Sequence, residues 1–236
     1  MNKLFRYPVI FLDIVSPRRC LLCSCRLTHS LAHPSHKTYK WKVLEDYLCT
    51  TCLEELNVCS MDLIGVGQID RVFSGYLYSD ILAQIIPAWK YQGRSEFFPV
   101  IEAFVQQIIS RFKLSESGFD LVTAIPLTKS SLRKRGFNQA LFIAFCCAKV
   151  LDLPLLRHQF TKVIDTPHQA SLDRDARMLN LNRDVFRVTG KADLEGCKIL
   201  VCDDVMTTGS TLKAAAGALE SAGAVSVTAM TLARVE

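Results

Sequence analysis

The sequence has no apolar run near the roughly 18 residues that a membrane-crossing helix requires. Its longest, Ala140 to Ala148, suits a buried helix. There is no internal repeat and no low-complexity tract, which excludes solenoids, arrays and fibres. No Gly-Lys-[Ser/Thr] closes a glycine-rich loop and no Gly-x-Gly-x-x-Gly occurs, so a Walker A site and a dinucleotide fingerprint are both excluded. No Cys–His–acid constellation argues for a thiol nucleophile. The first residues mix charge with apolar side chains, but Pro8 and Asp13 interrupt them and no small-residue cleavage site follows. The expectation is a chain without a signal peptide, working in the cytoplasm.

What is present describes a folded globular chain. It has 236 residues, half of them hydrophobic, with 28 Lys+Arg against 23 Asp+Glu. That length fits one large domain, or a medium domain with an appendage. A net charge of +5 tolerates nucleic acid or phosphorylated ligands without requiring either. Ten cysteines without an export signal are expected to stay reduced, and paired thiols then point to metal ligation more than to disulfides.

Composition divides the chain. Residues 1–66 hold six of the ten cysteines (20, 23, 25, 49, 52 and 59) and three of the five histidines (His29, His33 and His36). Such a segment is too poor in apolar periodicity to build a core easily by itself. Gly65-Val66-Gly67 reads as a hinge into a second unit, residues 67–236. There, Val72, Phe73, Tyr76 and Tyr78 mark a β-rich stretch, and a helix is expected over Ile81 to Trp89. Phe97, Phe98, Ile101, Phe104, Val105, Ile108, Ile109 and Phe112 recur at the three-and-four spacing of an amphipathic helix.

Beyond that, strands and helices alternate. Residues 121–127 read as a buried strand ending at Pro126, and Phe137 to Leu151 as a helix, with 153–156 beginning the next connection. Residues 198–203 form a continuous apolar strand, Leu212 to Ala222 an Ala-rich helix suited to capping by Gly223, and 225–233 a returning strand. Such alternation implies right-handed βαβ units and a parallel sheet, an α/β architecture.

The most informative stretch runs from Ile199 to Thr211. Four apolar residues lead into Asp203 and Asp204, then a hydroxyl-rich turn, then a helix. Ligands of open α/β sheets bind at the carboxyl ends of strands, where this turn falls. Thr207, Thr208, Gly209, Ser210 and Thr211 would gather unpaired N–H groups, hydroxyls and a helix's positive end, a combination that binds phosphate. Gly209 lets the backbone approach without a Cβ. The two carboxylates can accept hydrogen bonds from paired sugar hydroxyls, or orient a magnesium ion with its waters. Adjacent strand residues face opposite sides, so both are expected at the start of the loop.

These residues resemble the phosphoribosyl-pyrophosphate (PRPP) motif of type I phosphoribosyltransferases. The wider context resembles the competence protein F (ComF) family, which includes GntX-like proteins. Further matches are Lys90-Tyr-Gln-Gly93, Ile125-Pro-Leu127, Arg135-Gly-Phe-Asn-Gln139, and Thr166, Gln169 and Leu172 with Arg177, Asn180 and Phe186. The resemblance implies a type I phosphoribosyltransferase-like parallel sheet flanked by helices. It implies that Asp203 and Asp204 bind the ribose hydroxyls of PRPP as the catalytic pair, with residues 207–211 around the 5-phosphate. The turn Pro126, Leu127 to Lys129 would contact pyrophosphate, with Arg133, Lys134 and Arg135 supplying positive charge. Departing pyrophosphate leaves an oxocarbenium-like sugar, and Mg²⁺ with basic groups stabilises the charge that develops. Residues 165–183 are polar and weakly periodic, as a segment closing over ligand would be.

Cys20-Leu-Leu-Cys23 and Cys49-Thr-Thr-Cys52 are two CxxC pairs separated by 25 residues. Zinc prefers four thiolates in a tetrahedron, and each pair supplies two from one tight turn. The expectation is a small zinc-ribbon-like head in which the metal is structural, since four protein ligands close its coordination sphere. Cys25 and Cys59 are spare ligands, and the histidines read as solvated. Cys146, Cys147, Cys197 and Cys202 read as core residues.

Two functions follow. One is a transferase moving the 5-phosphoribosyl group from PRPP to an acceptor the sequence does not name. The other is a non-catalytic DNA-uptake factor that binds PRPP and single-stranded DNA, in contact with competence machinery at the inner membrane. Arg18, Arg19 and Arg133–Arg135 suit the second, although no aromatic residues interleave with those charges.

Overall fold

A computed structural model describes residues 17–27, 43–59, 62–91, 94–163, 185–190 and 193–235. Among these, a six-stranded sheet is built from β1 (Leu63–Val66), β2 (Ile69–Leu77), β3 (Leu121–Ala124), β4 (Leu155–Leu156), β7 (Lys198–Met206) and β8 (Ser226–Arg234). Their order is β1-β2-β8-β7-β3-β4. Every pair is parallel except β1 with β2. The strands β5 (Phe160–Lys162) and β6 (Phe186–Val188) form a separate antiparallel pair.

The pattern of burial follows from this order. A central parallel strand is covered on both faces and needs an uninterrupted apolar run. Ile199, Leu200, Val201 and Cys202 of β7 supply it, all at most 1% exposed. Helices α2 (Asp80–Tyr91), α3 (Phe98–Arg111), α4 (Lys129–Arg135), α5 (Gln139–Leu151) and α6 (Ser210–Glu220) lie in the connections, and the short α1 (Thr50–Glu54) precedes them. α3 and α5 touch each other and cover one face, α3 against β2 and α5 against β3 and β7. α6 joins β7 to β8 in the reverse direction along the sheet. A right-handed crossover therefore places it on the other face. Gly75 of β2 is set by α3: a Cβ there would meet Ile108 Cδ1 at 2.5 Å.

The Cys-rich segment shares this core. Cys20, Leu44, Leu48, Cys52 and Leu56 belong to the same contiguous cluster as Trp89, Phe104 and Val201. Backbone hydrogen bonds tie it to β2, Cys59 N–H donating to the Gly75 carbonyl (3.0 Å) and Leu77 N–H to the Asn57 carbonyl (2.7 Å). The Arg94 guanidinium reaches the Leu21 carbonyl at 3.4 Å.

Several expectations change in detail. The strand opening at Lys198 continues to Met206, so Asp203 and Asp204 lie inside it and not at the start of a loop. Its length is set by β8, which pairs Asp203 with Thr231 and Met206 with Arg234. Gly65-Val66-Gly67 lies in a β-hairpin, and β1 is an edge strand of the main sheet. β3 stops at Ala124, and residues 155–156 form a short strand. Cys197 is only half-buried, ahead of β7, whereas Cys146, Cys147 and Cys202 are core residues. His29, His33, His36, Gln92, Gly93, Thr166, Gln169, Leu172, Arg177 and Asn180 lie outside the described residues.

Candidate functional site

Strand order locates the site. From β3 the chain passes through α4 and α5 to β4 on one side, and from β7 it passes through α6 to β8 on the other. Connections diverge between these neighbours, which leaves a crevice at their carboxyl ends, the preferred ligand position in open α/β sheets. Pairing between β3 and β7 closes with Ala124 opposite Cys202, and Ile125 N–H donates to the Cys202 carbonyl at 2.9 Å. β7 runs on beyond that point. Asp203 and Asp204 therefore lie on β7 beyond its last pair with β3, next to the end of the neighbouring strand.

The turn after β7 carries Thr207 and Thr208, both exposed. Gly209 caps α6 at φ 72°, a left-handed backbone that favours glycine. A Cβ there would meet Val66 Cγ1 at 3.4 Å, ordinary contact, so the backbone conformation is what demands this glycine. The Thr208 hydroxyl donates to Ser210 Oγ at 3.0 Å. Ser210 and Thr211 are exposed on the first turn of α6, whose positive end suits an anion, and the Ser210 N–H donates to Thr208 Oγ1 at 3.4 Å.

On the opposite wall, residues 125–128 lead from β3 to α4. Pro126 and Leu127 are half-buried, and Lys129 is exposed at the first helical position. Thr128 caps α4 by accepting from Ser131 N–H at 3.2 Å. Asn138, inside the Arg135-Gly-Phe-Asn-Gln139 motif, donates through Nδ2 to the Ile125 carbonyl at 3.0 Å. It also caps α5, accepting from Leu141 N–H. One side chain thus fixes the loop and the helix beside it. Arg135 sits at the far end of α4, about 9 Å of helix from Lys129.

Electrostatics distinguish the two carboxylates. Lys90 Nζ of α2 lies 2.6 Å from Asp204 Oδ2, with both side chains 13% exposed. Asp203 accepts the Asp204 backbone N–H at 2.9 Å. Burial, and then the Asp204 charge, push the Asp203 carboxyl up to about 7, against the smaller pull of Lys90 and of Lys162 on β5. Lys90, Asn138, Gln139 and Lys162 are site residues to which sequence reasoning gave no role. For Lys90 the signal was its place beside the buried face of α2 (Ile81, Leu82, Ile85, Ile86 and Trp89) in a family-like motif.

A second cluster lies in the Cys-rich segment. The Sγ atoms of Cys20, Cys23, Cys49 and Cys52 all fall within 4.8 Å of one another. Cys20 and Cys52 are 3.8 Å apart, Cys23 and Cys49 3.6 Å. A tetrahedron with metal–sulfur bonds near 2.3 Å has edges of about 3.8 Å, so the four could hold one ion. Cys25 stands outside the group of four. Hydrogen bonds from the Cys25 backbone and thiol hold Cys23 down at about 6, toward the thiolate a metal requires. Burial raises Cys52.

The "Phosphoribosyl transferase domain" family matches residues 156–236. "Competence protein ComFC" of Bacillus subtilis is 32% identical over 163 residues, covering 68% of this chain and 63% of that protein. The chain thus spans less than two thirds of that relative's length. "DNA utilization protein YhgH" of Salmonella typhimurium is 28% identical, with 70% and 72% covered. A purine phosphoribosyltransferase structure from Pyrococcus horikoshii is 16% identical over 57% of this chain and 70% of that one, at a TM-score of 0.34. The fold is that of a type I phosphoribosyltransferase-like α/β protein. More narrowly, the chain is similar to proteins of the ComF family.

Proposed function

We propose that the chain binds PRPP in the crevice between β3 and β7 and transfers its 5-phosphoribosyl group to a nitrogen acceptor. The observation that carries this is the run from a buried strand through Asp203 and Asp204 into the Thr207–Thr211 turn, at the point where the sheet's connections diverge. In this reading the first turn of α6 holds the 5-phosphate through N–H groups and hydroxyls. Asp203 and Asp204 accept the ribose hydroxyls and orient the sugar for loss of its anomeric substituent. Residues 126–129 receive the pyrophosphate.

The site offers hard oxygen donors, which suit magnesium, and Asp203 would take its waters. When bound, the ion offsets charge on the departing pyrophosphate. The four-cysteine cluster would hold a structural zinc, completing a head (residues 1–66) with few long periodic apolar runs of its own.

Isothermal titration with PRPP at fixed Mg²⁺ tests the reading. The wild type should bind, and Asp203→Asn with Asp204→Asn should weaken binding about 10- to 100-fold, the loss of charge-assisted hydrogen bonds. Equal affinity in wild type and variant would remove the site assignment. Pyrophosphate release across a panel of nitrogen heterocycles tests turnover.

A second reading, a DNA-uptake factor using this fold without turnover, draws on the names of the relatives and on one surface. Exposed Arg133 and Lys134 are followed by Phe137, which packs with Trp89 and Phe98. Salt-dependent binding of single-stranded DNA, with PRPP bound but not consumed, would favour it. No helix among the described residues is long and apolar enough to cross a membrane.

A further inference from the structure

Among the described residues, Lys90 Nζ lies 2.6 Å from Asp204 Oδ2 of the β7 motif, and nothing in the motif itself calls for this pair. Lys90 comes from α2, well before the domain match beginning at residue 156. Its placement is built, not incidental. The neighbouring Trp89 is 1% exposed and packs against Phe98, Phe137 and Phe142 at centroid distances of 6.1, 5.6 and 5.9 Å. Gln139, itself 1% exposed, donates through Nε2 to the Lys90 carbonyl at 3.4 Å. Asn138, the next residue back, fixes the Ile125 carbonyl on the far wall. The Asn138-Gln139 pair therefore ties the end of α2 and the loop after β3 to the start of α5. That places an ammonium against one of two adjacent carboxylates.

Two carboxylates side by side at a half-buried strand end repel each other. A cation held at 2.6 Å from one of them offsets that repulsion and keeps its oxygens as hydrogen-bond acceptors. It also restricts the rotamer of Asp204, leaving its second oxygen for a hydroxyl donor. Lysine suits this role because its ammonium is a compact charge with three donors, so pairing with Asp204 leaves two for other oxygens.

We infer that Lys90 is a positioning residue for the sugar: it acts through Asp204, holding that carboxylate in place and aimed at the ribose hydroxyls. This rests on the PRPP reading of the crevice and adds to it a residue from outside the matched domain. The role is selective. It should matter for ligands that carry a ribose and not for pyrophosphate alone, because Lys90 touches the acid and not the wall formed by residues 126–129.

The test is a double-mutant cycle read by titration calorimetry at constant Mg²⁺, using three probes: PRPP, ribose 5-phosphate and inorganic pyrophosphate. Lys90→Met should weaken PRPP and ribose 5-phosphate at least tenfold while leaving pyrophosphate within twofold. Lys90→Arg, which keeps the charge, should recover most of that loss. In an Asp204→Asn background the Lys90→Met change should cost less than threefold, since the group it acts through is gone. Thermal melts of every variant separate binding from folding. If Lys90→Met fails to fold, Lys90→Arg and Lys90→Gln carry the same comparison. A wild type that binds, with Lys90→Met binding ribose 5-phosphate equally well, overturns the role of Lys90 alone. Equal losses for pyrophosphate and ribose 5-phosphate also overturn it, because Lys90 would then serve the phosphates or the fold. A wild type that binds neither PRPP nor ribose 5-phosphate overturns the reading of the crevice, and this role with it.

Discussion

Asp203 and Asp204 are neighbours in sequence with opposite surroundings. Asp204 meets the ammonium of Lys90, whereas Asp203 is pushed up to about 7 by burial and by its neighbour's charge. A carboxyl raised in the folded state binds its proton more tightly there than when unfolded. Its ionisation therefore opposes folding, and stability should fall as pH rises from about 4 to about 7 and then level off. Asp203→Asn removes that penalty. In metal-free buffer at pH 8 it should raise stability by about 1–2 kcal/mol after allowance for solvent screening, and at pH 4 by almost nothing. Denaturant melts at the two pH values check this, and an equal effect at both would contradict the cause assigned. The same variant should bind PRPP poorly, so this residue trades stability for function. Sequence alone singled out both acids, because two carboxylates after four apolar residues are hard to explain otherwise. It did not give their difference, since Lys90 and Lys162 reach them only through the tertiary fold.

At the level of elements, β7 and α6 were the most legible parts of the chain. A continuous apolar run and an Ala-rich helix are local signals that tertiary context here reinforces. The end of β7 was not legible, because a strand's length is decided by its partner. β8 continues the ladder to Met206 and carries both acids inside the strand. β1 was hidden for a similar reason: Ile64 and Gly65 have no buried face, and only pairing with β2 makes them a strand. Gly75 shows how closely elements approach where the sequence offers only a glycine. Gly75→Ala should push Ile108 and α3 away from β2 and cost about 1–3 kcal/mol of stability, seen in a lowered urea midpoint. No change in midpoint would mean that α3 has room to shift.

For the whole molecule, two CxxC pairs far apart in sequence were enough to foresee a four-sulfur cluster. Composition alone suggested a separable head. Cys20, Leu44, Leu48 and Cys52 instead pack into the core shared with α2 and α3. Thermal unfolding should then be a single transition, whose midpoint falls by several degrees on chelation or in Cys20→Ser, with loss of one bound metal per chain. Purified wild-type protein lacking stoichiometric metal under reducing conditions would remove the zinc proposal. A separate early transition would show the head to be an independent unit. The central claim concerns where a sugar phosphate sits, and a crystal structure with PRPP and Mg²⁺ addresses it most directly. The account predicts the 5-phosphate on the first turn of α6, the ribose hydroxyls on Asp203 and Asp204, and the pyrophosphate against residues 126–129. Ligand density elsewhere, with the β7 carboxylates facing only Lys90 and solvent, would contradict it.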